Sequence, residues 1–278
     1  MNAEALKARI RNLANKKEID PQALMQLFFM DQFLLRLSKY EDKDHIIVKG
    51  GMLIVTLLGI STRSTMDIDT AVKSYNLSKK TAMEIFTGIA KLPHDDGCEF
   101  IFKKIEHIMD DNDYQGYRIY FTGKKEKIIQ SLHLDLSTGD QITPREVELT
   151  YKTFLNGEKV NIKTYNIETV IAEKLETIFT RGTANTRMKD FYDLYIINKM
   201  LRNNLDYPVL KMAFKNTLKN RKSEFIIDII NEVIDDIKSD DRMLNRWVEY
   251  SKSYSFTKNI SFDDCVIAAI ELTDIAIK

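Results

Sequence analysis

At 278 residues and 32.3 kDa, the chain has room for one large domain or two modest ones and is too long for a disulfide miniprotein. Hydrophobic residues make up 44% and charged residues 29%, with only 10 Gly and 4 Pro, which excludes collagen-like and low-complexity chains and predicts a helix-rich globular fold. The 41 basic and 41 acidic residues cancel unevenly: 151–222 holds 14 basic against 7 acidic, and 223–278 holds 6 against 12. That polarity either places an anionic partner against the middle segment or marks a solvated basic helix face.

Cys98 and Cys265 lie in no CxxC pair, so neither a disulfide framework nor a zinc knuckle is indicated, and a reducing cytoplasm fits best. The first residues, MNAEALKARIRNLANKK, carry charges throughout and do not read as a signal peptide. The longest apolar runs, such as Met52 to Leu58, fall far below the ~20 residues of a membrane helix, so no membrane span is expected.

In chain order, a short helix is predicted around Glu4 to Ala14. Asp20-Pro21 then reads as N-cap and first helical position before a long apolar-periodic stretch, Ala23 to Tyr40. His45 to Val48 is a β-branched strand ended by Lys49-Gly50-Gly51, and Met52 to Leu58 is a helix closed by Gly59. Met66 to Val72 alternates as a strand, and Ser78 caps a helix through Leu92. Strand-like runs follow at Glu99 to Ile108, Tyr117 to Phe121, Ile128 to Leu136, Val147 to Phe154 and Val160 to Thr164. After Tyr165 the spacing is helical throughout: 167–181, 188–202, 208–219, 223–238, 241–253 and 261–276. The expected architecture is α+β, a mixed sheet flanked by helices over 1–160 followed by an all-helical lobe over 161–278.

Asp67 and Asp69 flank Ile68, so on a strand both carboxylates leave one face while Ile68 enters the core. Carboxylate oxygen suits a hard divalent cation, and neighbouring carboxylates repel each other unless a cation sits between them. Gly50-Gly51, sixteen residues earlier, ends a strand and opens a helix, where bare N–H groups can hold phosphate. Asp135, enclosed by leucines in Leu132-His133-Leu134-Asp135-Leu136, must be paired, protonated or metal-bound. A salt bridge is the ordinary explanation, and a shared metal site beside Asp67 and Asp69 is the functional one. The four histidines form no HxxxH or HExxH pattern, which argues against zinc catalysis.

Lys49-Gly50-Gly51, then Arg63-x-Thr65-x-Asp67-Ile68-Asp69, then the isolated Asp135, resembles the active-site layout of DNA polymerase β-like nucleotidyltransferases. In particular the chain resembles the AbiEii/AbiGii toxin family of toxin–antitoxin pairs implicated in phage defence. Glu173-Lys174-Leu175 and Arg187-Met188-Lys189-Asp190-Phe191-Tyr192-Asp193-Leu194 match that family's helical motifs. One departure from the wider superfamily is Gly51, where a serine often offers a hydroxyl to phosphate, so this turn relies on backbone donors.

In the helical half, Ile167, Val170, Ile171, Lys174 and Ile178 share a stripe, as do Asp190, Leu194, Ile197 and Leu201. A lysine and an acid therefore point inward. The structural explanation is an ion pair between two helices; the functional one puts Lys174 on nucleotide phosphates and Asp190 beside it. Arg63, Thr65, Lys49 and Lys189 are further phosphate candidates, against ordinary loop or solvated roles. Asp193, one turn from Asp190, reads as helix support.

The resemblance implies transfer of a nucleoside monophosphate from an NTP to an acceptor hydroxyl, assisted by Mg²⁺ or Mn²⁺. The metal would lie on Asp67, Asp69 and Asp135, the triphosphate on Gly50 and Gly51, and Lys174 would offset its charge. It further implies an RNA acceptor, the 3′ end of tRNA, and a cognate antitoxin. The competing readings are a DxD-dependent glycosyltransferase or phosphohydrolase, and a non-catalytic nucleotide- or RNA-binding module that acts by sequestration.

Overall fold

Asn2 and Asp20 start the first two helices, each by accepting a hydrogen bond from an otherwise unsatisfied N–H of the first turn: Ala5 N–H at 2.9 Å and Gln22 N–H at 3.1 Å. They open α1 (Ala3–Lys17) and α2 (Pro21–Leu37). The computed structural model describes residues 1–62, 68–73, 77–109, 115–139 and 141–278. The chain divides into two compact units, Met1–Gly139 with Glu146–Tyr165, and Asp140–Arg145 with Asn166–Lys278. The position 160 chosen from the sequence falls inside a strand of the first unit.

The first unit continues with β1 (Ile46–Lys49), α3 (Gly50–Leu58), β2 (Ile68–Val72), α4 (Lys79–Lys91), β3 (Glu99–Met109), β4 (Gln115–Lys125), β5 (Ile128–Ser137), β6 (Val147–Lys152) and β7 (Lys159–Thr164). The strands form one mixed sheet in the order β3-β4-β5-β2-β1-β7-β6, with β2–β5 and β1–β7 parallel and the other neighbours antiparallel. The second unit holds α5 (Ile167–Arg181), α6 (Met188–Leu201), α7 (Tyr207–Asn220), α8 (Ile226–Ser239), α9 (Asp241–Ser253) and α10 (Phe262–Ile277). This is the α+β architecture expected. Several boundaries differ: α2 ends at Leu37 rather than Tyr40, α3 begins at Gly50 rather than Met52, β4 runs Gln115–Lys125 rather than 117–121, and β6 stops at Lys152, just before the Phe154 N–H donates to a buried carboxylate instead of to a ladder.

Alternation places one sheet face against α2 and α4. Ile68, Leu134 and Ile119 are buried there with Leu132, Leu136 and Phe121, while Asp69, Asp135 and Arg118 emerge from the other face. Phe33, Phe86, Phe100 and Phe121 pack with centroids 5.1–6.0 Å apart between helices and sheet.

The helix α2 is buried on almost every side, so its polar residues need internal partners. Arg36 meets the Asp96 carboxylate with both terminal nitrogens, at 2.6 and 2.9 Å, and also donates to the Gln32 and Cys98 carbonyls. Asp31 accepts from the Tyr151 hydroxyl at 2.5 Å and the Phe154 N–H at 3.0 Å. Burial pushes its carboxyl from the ordinary 3.8 up to about 7, outweighing both hydrogen bonds.

Because the folded value lies above the unfolded one, this contribution to stability is complete below pH ~4 and is lost as pH rises through about 7, at ~1.4 kcal/mol per pH unit. Asp31→Asn keeps the shape and still lets Phe154 and Tyr151 pair. It is expected to flatten the decline and to raise the urea midpoint at pH 8 but not at pH 4. An unchanged pH slope in the variant would show that Asp31 does not titrate in this range.

Candidate active site

Lys49 ends β1, and Gly50 turns directly into α3 with φ +67°, a left-handed conformation that side chains disfavour. Gly50 is also the point of closest approach to Asp69. A Cβ built on Gly50 would collide with Asp69 Oδ2 and stand 3.1 Å from its Cγ. Glycine is therefore required twice here, by the backbone conformation and by the carboxylate beside it. The helix starts without a side-chain cap, so its first N–H groups face this same corner with the positive end of the helix dipole.

Strand register assembles the rest. Lys49 on β1 pairs with Asp69 on β2, Asp69 with Asp135 on β5, Asp135 with Arg118 on β4, and Arg118 with Glu106 on β3. Five charged residues thus form one row across five neighbouring strands, each step about 4.8 Å. Asp69 and Asp135 occupy adjacent parallel strands at the same level. The Lys49 ammonium also lies 5.8 Å from the centroid of the Tyr165 ring.

Asp135 has a partner that the sequence analysis missed. Arg118 Nε donates to Oδ1 at 2.7 Å and Nη2 to Oδ2 at 2.6 Å, with 34% of the arginine and 13% of the aspartate side chain exposed. These hydrogen bonds raise the guanidinium above its already high pKa, so it stays charged. The ordinary explanation of an acid among leucines, a salt bridge, is thus present. Each carboxylate oxygen has further lone-pair capacity, so the fork orients Asp135 without exhausting it. One step along the strands, His133 faces Tyr120 at 6.0 Å between ring centroids, and Lys104 lies over the Tyr120 ring at 4.3 Å.

Asp67, Arg63 and Thr65 lie outside the described residues. Among the described residues, no group of three or more His, Cys, Asp or Glu side chains could hold a metal ion. The chemistry of the described donors nevertheless fits Mg²⁺: Asp69 and Asp135 offer two hard carboxylates from one strand level, next to a glycine turn.

In the second unit, the inward-pointing Lys174 of α5 reaches α6. Its Nζ lies 2.6 Å from Asp190 Oδ1 and 2.8 Å from Asp193 Oδ2, and both aspartates are only 1% exposed. Arg187 Nε donates to the other Asp190 oxygen at 2.7 Å. Burial works against charge on Lys174, yet the two aspartates hold its pKa above the ordinary value. Burial likewise opposes charge on Asp190, but Lys174 and Arg187 hold it well below the usual carboxylate range. Asp193 is therefore a full member of the cluster and not merely helix support. Lys189 is half-buried on the same helix and adds positive charge near Asp190.

Residues 32–268 match the family described as nucleotidyl transferase AbiEii toxin, type IV TA system. No curated protein matches the sequence. Among solved structures, JHP933 from Helicobacter pylori is similar at 18% identity and a TM-score of 0.53, covering 92% of this chain and 93% of that one. A second H. pylori structure, described as a candidate nucleotidyltransferase, is similar at 19% identity and a TM-score of 0.52, covering 93% and 94%. At such identities the likeness is one of fold.

Proposed function

Since the chain belongs to the AbiEii nucleotidyl transferase toxin family of type IV toxin–antitoxin systems, we propose that it transfers a nucleoside monophosphate from an NTP to an acceptor hydroxyl at the Asp69–Asp135 row. In this reading the acceptor is RNA, with the 3′ end of tRNA as the specific target, and the product besides pyrophosphate is an RNA blocked for translation. Family membership implies a cognate antitoxin. No helix among the described residues is long and apolar enough to cross a membrane, and we place the reaction in the cytoplasm.

The observation that carries this reading is the shared register of Asp69 and Asp135, with Gly50 pressed against Asp69. Asp67, Asp69 and Asp135 would hold Mg²⁺, which supplies charge neutralisation at the phosphates and lowers the pKa of a bound hydroxyl. The chain's own groups do the remaining work. The first N–H groups of α3, at Gly50 and Gly51, donate to phosphate oxygens, and the lack of side chains lets the phosphate approach the backbone. Lys49 adds positive charge at the end of β1, and Arg63 and Thr65 are further phosphate-binding candidates in this reading. Asp135 accepts the proton of the attacking hydroxyl or orients it, with Arg118 fixing the carboxylate in place. In the second unit, Lys174 is kept charged by Asp190 and Asp193, and Lys189 lies on the same helix as Asp190.

The test is transfer of label from each of the four α-labelled NTPs to total RNA, with Mg²⁺ or with chelator. Label in RNA from at least one nucleotide, lost with chelator and reduced at least ~10²-fold in Asp135→Asn, is the expected result. Equal labelling by the variant, or none by the wild type with any nucleotide, overturns the reading.

A further inference from the structure

Most of the excess positive charge in the middle of the chain falls in one short segment. Residues 207–222 contain Lys211, Lys215, Lys219, Arg221 and Lys222 and no acidic residue. The inward face of α7 is apolar, with Leu210, Ala213, Phe214 and Leu218 buried. Tyr207, Lys211, Lys215 and Lys219 follow one another at intervals of four, which places them in a single row on the outer face. All three lysines are exposed, as is Lys222 just past the helix end, and Tyr207 is 41% exposed at the head of the row. None of these four lysines takes part in an ion pair among the described residues. Arg221 differs, being committed to Glu176 at 2.6 Å. The N-cap Asp206 spends a carboxylate oxygen on the Val209 N–H at 3.0 Å.

A helix whose outer face carries three unneutralised ammonium groups and one exposed aromatic, with a fourth lysine just past its end, is poorly explained by folding alone. Each lysine repels the next, and no i,i+4 acid relieves it. The row runs about 12 Å from Lys211 to Lys219 at 1.5 Å per residue, a length over which one strand of a duplex presents three to four phosphates. A phosphate backbone therefore matches both the sign and the length of the row. Tyr207 adds a π-face at its end, the combination of basic track and aromatic platform used for a strand with an unpaired base.

We propose that the outer face of α7 is the docking surface for the RNA acceptor, with the backbone along Lys211, Lys215, Lys219 and Lys222 and an unpaired base on Tyr207. This rests on the proposed transferase reading for the word acceptor, but the binding itself is measurable without any reaction.

The experiment measures binding of the full chain to labelled total tRNA by fluorescence anisotropy between 50 and 300 mM salt, for wild type, for Lys211→Gln/Lys215→Gln/Lys219→Gln, and for the corresponding triple Lys→Arg variant. The Gln variant is expected to bind at least about tenfold more weakly and to show a log–log salt slope smaller by about 2, while the Arg variant binds like wild type. Tyr207→Leu is expected to weaken binding at least about fivefold with the salt slope unchanged. In the labelled-NTP assay the Gln variant should raise the KM for RNA and leave kcat alone. Wild-type affinity and slope in the Gln variant would overturn the proposal and leave the transferase reading intact. So would binding to phosphatidylglycerol vesicles lost in the Gln variant while RNA binding stays. Failure of the wild type to label RNA, with RNA binding lost in the Gln variant, would instead sink the transferase reading and keep the docking surface.

Discussion

Asp69→Asn is expected to lower nucleotidyl transfer at least ~10³-fold and to abolish toxicity on expression, while thermal unfolding stays within a few degrees of wild type. The side chain is half-buried on the polar face of the sheet, beside Gly50 and level with Asp135. Asparagine has nearly the same shape, so neither the Gly50 contact nor the sheet register changes. What is lost is a full negative charge and one carboxylate oxygen, the two properties a divalent cation needs. Label transfer to RNA together with colony counts on induction gives the result. A folded Asp69→Asn protein that still kills would mean that toxicity comes from sequestration.

Lys174→Met is expected to cost about 3–5 kcal/mol, because it leaves Asp190 and Asp193 buried without their shared ammonium. For a domain of this size that corresponds to a fall in the unfolding midpoint of roughly 10–20 °C. Adding Asp190→Asn and Asp193→Asn to Lys174→Met should recover most of it, since the penalty arises from uncompensated charge rather than from lost packing. The pH dependence follows from the signs of the shifts. Asp190 is held below its ordinary value, so its contribution is present above the usual carboxylate range and disappears as pH falls through the lowered value. Lys174 is held above its ordinary value, so its contribution is present below the usual ammonium range and disappears as pH rises through the raised value. Without Lys174 the burial of Asp190 is opposed only by Arg187 and Lys189, so its carboxyl moves upward and takes up a proton toward acid pH; the cost of Lys174→Met should therefore be smaller at about pH 5 than at about pH 9. Thermal melts across that range measure it, and a cost under 1 kcal/mol would show that the aspartates find other partners.

The elements were legible from the sequence because their signals are local. Asp20-Pro21, Ser78 and the glycine pair mark helix starts; apolar stripes mark α5 and α6; and the alternation in Leu132 to Leu136 tells which face Asp135 takes. Long-range pairing was less legible. Arg118 meets Asp135 because β4 and β5 join through the tight turn Glu126-Lys127, which sets Lys125 opposite Ile128 and, seven residues back, Arg118 opposite Asp135. That register could have been counted from the turn, but Glu-Lys lacks the Asn-Gly or Asp-Gly chemistry that announces a two-residue hairpin, even though Glu126 adopts φ +51°. Asp193 was read as helix support because it lies one turn from Asp190, an ordinary neighbour spacing on a helix. A lysine side chain is long enough to collect two acids three residues apart. The ion pair of Arg36 with Asp96 joins residues 60 apart, and no periodicity connects them.

The proposed transfer requires Asp69 and Asp135 together to bind a divalent cation. Mn²⁺ binding followed by electron paramagnetic resonance, with a non-hydrolysable NTP present, tests this for wild type, Asp69→Asn and Asp135→Asn at matched folded concentration. The expected result is a site in the wild type whose affinity falls at least about tenfold in either variant. A wild-type titration reproduced unchanged by both variants would contradict it.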